Sequence, residues 1–240
     1  MFEITREIAI KVRDTVDAGL VKGKGIQIPG QMCVEAAVCY AMGLPHSDEP
    51  PCVSAAVRSL KIGLNDSAWS SDKIRGRGMR RLALAQLGSA GTVDDAEFNR
   101  RVIEVIIRRF VPIALRAAAS VHHKQIHKDA LEAAAVNCEK AETSWAASWA
   151  ASEAASGAAS WAASGAARAA SWAASGAASE AARAASWAAR AASWAASDKI
   201  LAEFAECVVL VLIEMKAPGC QWLDLVPINP SASNPATRSP

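Results

Sequence analysis

The 240-residue chain carries a net charge of +2, with 52% apolar and 21% charged residues. Its charge divides as +3 over residues 1–143, +1 over 144–197 and −2 over the remainder, so no segment is a polyelectrolyte of the kind that dedicated nucleic-acid or acidic-membrane binders present. The six cysteines lie far apart along a chain long enough to build a core without staples. They read as reduced thiols of a cytoplasmic protein. MFEITREIAIKVRD has charges throughout rather than a secretory leader, and the most apolar window, Cys207–Ile213, is too short to cross a bilayer, so no membrane span is expected.

The pattern predicts an all-α protein. From Phe2 to Leu20, Ile4, Ile8, Val12 and Val16 recur every four residues between charges, and Gly19 supplies a stop. After the loop LVKGKGIQIPG, CVEAAVCYAMG reads as a short apolar helix ended by Gly43 and Pro45. Val53, Val57, Leu60 and Leu64 mark a third helix, and Met79–Leu87 a fourth. Thr92 and Asp95 stand at capping-box spacing before Phe98, Val102, Val105, Ile106 and Phe110, where Pro112 is expected to kink or restart the helix. Ile200–Met215 has the apolar stripe of a conventional amphipathic helix returning to a core. The Pro-rich residues from 218 to 240 read as an irregular tail.

Between these parts lies a repeat. Residues 144–197 hold 28 alanines and six of the eight tryptophans, in units of x-Ala-Ala usually followed by Ser. The variable position x is Trp, Glu, Gly or Arg, and it returns about every 3.8 residues, close to one helical turn. Alanine has the best helix propensity, and no proline occurs from Ile113 to Ala217, so a continuous helix of roughly 80 Å is expected. A spacing above 3.6 favours a right-handed superhelix over a left-handed zipper. The four identities at x are linked by single base changes around one glycine codon, as in a drifted tandem duplication. An x face that tolerates such diversity would be exposed, leaving Trp145, Trp149, Trp161, Trp172, Trp187 and Trp194 either on a spacer or on an adhesive surface. The domain organisation expected is therefore a compact helical region over 1–143, a repeat helix over 144–197, a C-terminal helix over 198–217 and the tail.

Three constellations bear on chemistry. Cys33 in GQMCVEAA sits near a helix N-terminus just after Gln31, as in cysteine hydrolases. No partner histidine is assignable and the sheet that would carry one is missing, so a buried small hydrophobe is the competing reading. His122, His123 and His127 lie close in sequence, and His123 and His127, four apart, would share one helix face and could chelate a metal, but no third strong ligand stands out and Lys124 occupies the place of the zincin glutamate. No metal or cofactor is expected. The basic run of Lys73, Arg75, Arg77, Arg80 and Arg81 could cradle phosphates, whereas nearby acids and the lack of interleaved aromatics favour a solvated face with internal ion pairs.

The segments GQMCVEAAVCYAMGLPH and LNDSAWSSDKIRGRGMRRLALAQLGS resemble uncharacterised bacterial and phage-borne proteins in which a helical region precedes Ala-rich repeats of variable length. The resemblance covers about residues 1–140 and implies no activity or functional residue. The expected role is a structural or interaction protein that forms an oligomer or filament, or binds a protein partner, through the repeat. Nucleic-acid binding through the basic run and a Cys33 hydrolase are the alternatives.

Overall fold

The computed structural model describes residues 3–140 and 194–227, with side chains in the C-terminal part from Ser197 onward. The described chain is helical: α1 (Arg6–Asp17), α2 (Val34–Ala41), α3 (Ala55–Asn65), α4 (Asp72–Ala85), α5 (Asp95–Val105), a π-helical segment (Ile106–Phe110), α6 (Val111–Val121), α7 (Gln125–Lys140), α8 (Trp194–Glu214) and a 3-10 helix (Pro218–Leu225). No strand occurs among the described residues; Gly25 and Met32 form an isolated antiparallel bridge in the loop before α2.

The helix starts follow from side-chain capping. Thr5, Ser54, Ser71 and Asp94 each accept the backbone N–H of the residue three positions on, in the first turn of α1, α3, α4 and α5, satisfying donors that a helix leaves free. The cap of α5 is Asp94, bonding the Glu97 N–H at 2.7 Å, rather than the expected Thr92, whose hydroxyl donates to Gly88 O. The cap lies two residues beyond the expected one because both residue types can cap. Ser71 starts α4 seven residues before the expected Met79, so that the DKIRGRGMRR run opens this helix.

Its two glycines explain how α4 occupies the centre of the fold. A Cβ on Gly76 would lie 2.6 Å from Val16 O, and one on Gly78 would lie 2.4 Å from the Trp69 ring. Backbone proximity to α1 at one glycine and an indole lid at the other outweigh the poor helix propensity of glycine. Helix α4 thereby touches α1, α2, α8 and the 3-10 helix.

Pro112 does not break the chain of helices. It lacks the N–H that an uninterrupted ladder would need, and the backbone meets it by widening one turn. The Val111 N–H reaches Ile106 O, a five-residue step, and α6 starts with proline in its first turn. Phe110 at the end of that wide turn packs edge-on against Phe204 of α8, with ring centroids 5.3 Å apart.

One hydrophobic cluster runs from Ala9 to Val226 and takes in both α7 and α8. The C-terminal helix therefore shares the core of the N-terminal helices. The tail departs from expectation at its start: residues 218–225 form the 3-10 helix, Gly219 sits where a Cβ would meet Leu84 O at 2.2 Å, and Val226 is buried. Trp222, Leu223 and Leu225 pack against the same core, and this apolar anchor outweighs the local proline signal. Residues 228–240 lie outside the described part.

Candidate functional site

The N-terminus of α2 gathers the most chemistry-bearing side chains. Cys33 is its N-cap, and the thiol sulfur accepts the Ala36 N–H at 3.3 Å, doing the work a serine oxygen does at the other caps. The thiol is buried, and that burial, reinforced by the Glu35 and Asp48 carboxylates against two backbone N–H groups, pushes its pKa up. A helix N-terminus normally favours thiolate; here desolvation is larger. His46 is placed with its Nε2 2.9 Å from Gly25 O, and no hydrogen bond joins a histidine to Cys33 among the described residues. The adjoining cavity, lined by Cys33, Glu35, Asn65, Asp48 and Asp66 among others, has a volume of about 40 Å³. That space suits a water or two and no substrate of ordinary size.

Beside it lies a feature that the sequence reading missed. Glu35 of α2 and Lys61 of α3 are both fully buried, 3.4 Å apart, and the amide of Gln86 is buried with them. Neither Glu35 oxygen, nor Lys61 Nζ, nor either Gln86 amide atom has a hydrogen bond among the described residues. Burial raises the Glu35 pKa and lowers that of Lys61, while their mutual attraction opposes both shifts. The signal was present in the helical spacing: Lys61 follows Val57 by four and Glu35 precedes Val38 by three, placing each on an apolar face.

The basic run divides by burial. Arg75 is buried, its guanidinium donating to Leu20 O at 2.7 Å and Asn65 O at 2.8 Å and pairing with Asp72. Arg80 pairs with Asp17 at 3.1 Å. Arg81 pairs with Glu206 at 3.0 Å and donates to Val226 O at 2.7 Å, tying α4 to α8 and to the chain after the 3-10 helix. Lys73 and Arg77 are exposed and have no ion pair among the described residues. Three of the five cations thus hold the fold together. The arginines of α5 and of the π-helical segment behave alike: Arg100 and Arg101 embrace Glu97, holding its carboxyl down at about 2, and Arg109 pairs with Glu203.

A groove of about 370 Å³ between α5 and α8 is lined by Val105, Leu210, Val211, Arg101, Arg108 and Glu214 among others. At the opposite end of α6, the turn into α7 brings His122 together with both histidines singled out by spacing. Ring centroids lie 5.0 Å from His122 to His123 and 4.9 Å from His122 to His127. Among the described residues no group of three or more His, Cys, Asp and Glu side chains is placed to hold a metal ion. No described helix is long and apolar enough to cross a membrane.

Trp145, Trp149, Trp161, Trp172 and Trp187 lie outside the described residues; Trp194 is the first residue of α8. The remaining two tryptophans belong to the core: Trp69 is buried and donates to Leu64 O at 2.9 Å, and Trp222 packs at its edge. Comparison with family models, with curated proteins and with solved structures finds no match for this chain.

Proposed function

We propose that the protein is a structural or interaction protein: a helical platform carrying an Ala/Ser/Trp repeat through which copies of the chain assemble. The observation that carries this reading is the anchoring of both flanks of the repeat. Before it, α7 buries Leu131, Ala134, Ala135 and Cys138; after it, α8 buries Ile200, Leu201, Phe204, Val208 and Leu212, all in one core. The chain on either side of residues 141–193 is thus fixed in one core, a position between anchored flanks in which repeat number can vary without disturbing that core. The tryptophans at the x positions supply the contact energy, since each can bury about 150–250 Å² against a partner.

The surroundings of Cys33 do not favour the hydrolase alternative. The space beside Cys33 is too small for a substrate, and Cys33 carries a raised thiol pKa without a hydrogen-bonded histidine. Tryptophan emission tests the reading, because six of the eight indoles belong to the repeat. On concentrating the native chain the emission maximum shifts to the blue as indoles become shared between copies. Emission independent of concentration counts against assembly.

A further inference from the structure

The turn between α6 and α7 closes on one imidazole. His122 ends α6 in an extended conformation, and its Nδ1 accepts the Lys124 N–H at 3.1 Å, immediately before the first turn of α7. An accepting Nδ1 places the single proton of the neutral ring on Nε2. A second proton can enter only at Nδ1, where it meets the N–H that now bonds there.

The surroundings reject that second charge. His122 is buried, His123 stacks on it and His127 meets it edge-on, and Lys124 adds a fixed positive charge. Burial, then His127 and His123, hold its pKa below the ordinary histidine value. The acids and the arginine of the two packed helices are committed elsewhere: Arg116 of α6 pairs with Glu132 at 2.9 Å and Glu139 at 2.5 Å of α7, and Asp129 accepts from Gln125 at 2.7 Å. Lys128, on the same turn of α7 as His127, adds another cation.

We propose that this corner is an acid-sensitive latch: protonation of His122 breaks the hydrogen bond that closes the turn, sets like charges against one another and releases the start of α7. The sign follows from proton binding. Above the ordinary histidine range the ring is neutral in both folded and open forms and the latch has its full strength. As pH falls through that range the open form takes up the proton first, so the closed corner loses stability until the folded ring titrates as well. Because α7 leads into the repeat, acid acts on the segment that anchors its N-terminal side.

The test combines ring NMR with amide hydrogen exchange on the full chain. At neutral pH the ring nitrogens of His122 report a proton on Nε2, and His122 titrates below the ordinary histidine value. Protection factors over residues 121–128, corrected for intrinsic exchange, fall several-fold from pH 7.5 to 5.0. In His122→Asn, whose side-chain oxygen accepts the same N–H without titrating, protection at pH 7.5 is kept and the pH dependence is lost. A proton on Nδ1 at neutral pH, pH-independent protection in the natural chain, or an unchanged pH dependence in His122→Asn would each overturn the latch. If the variant is already open at pH 7.5, the ring titration of the natural chain decides.

Discussion

Lys61 and Glu35 are the side chains on which most depends for their size. Each is an ionisable group removed from water, and the attraction of the other opposes its neutralisation. Removing one partner strands a buried charge, which typically costs about 3–5 kcal/mol, whereas exchanging both for apolar groups of similar volume is often neutral or favourable. Lys61→Met is therefore expected to lower unfolding free energy in urea by about 3–5 kcal/mol, and adding Glu35→Leu to recover most of that loss. A single substitution that costs nothing would show that the pair is not charged in the fold. The thiols give a second residue-scale prediction. Burial pushes Cys39, Cys138, Cys207 and Cys220 up to about 11 and raises Cys33 as well. In the native chain at pH 7.5 every cysteine should react with iodoacetamide more slowly than after unfolding in urea. A Cys33 that reacts faster when folded would revive the hydrolase reading. At this scale the sequence showed which side chains were unusual but not how they met. Cys33 was visible as a helix-start thiol and His123 with His127 as a pair; His122 joins them only because the α6 chain turns extended there.

At the scale of elements, local rules located most helices and erred where tertiary contact set the boundary. The α1 and α3 stripes, the restart at Pro112 and the apolar face of α8 were all legible from spacing. The early start of α4 was not, because Arg-Gly-Arg-Gly reads as a poor helix until Trp69 and α1 are seen to need the room. Gly76→Ala tests that explanation. In an open helix the change would stabilise by roughly 1 kcal/mol, but here the new methyl meets α1 backbone. Thermal denaturation should show a loss of about 1–3 kcal/mol instead. The end of α8 offers the opposite case. The Lys216 N–H bonds Ile213 O, the Ala217 N–H bonds Leu212 O, and Lys216 has φ 56°. This is the left-handed position at which helices usually place glycine. Lys216→Gly relieves the conformation and, after the greater chain entropy of glycine, is expected to raise stability by about 0.5–1 kcal/mol. A lower melting temperature would contradict the assignment. The docked 3-10 helix was hidden for a related reason: prolines dominate the local signal, while its anchors Trp222, Leu223 and Leu225 gain their meaning only from the core they touch.

For the whole molecule, the all-α class was readable from the lack of alternation and the recurrence of helical spacing. The return of the C-terminal helix to a core was legible in its apolar stripe; that its partners there are α4 and α5 was not, since this depends on long-range packing. The proposed role rests on that arrangement together with the composition of residues 144–197. Light scattering of the full chain across a wide concentration range, beside a variant with Trp145, Trp149, Trp161, Trp172, Trp187 and Trp194 all replaced by alanine, tests it most directly. The account predicts a mass that rises above the 25.1 kDa of one chain in the natural protein and stays at that value in the variant. A natural protein that remains a single chain throughout, or a variant that associates equally well, would contradict it.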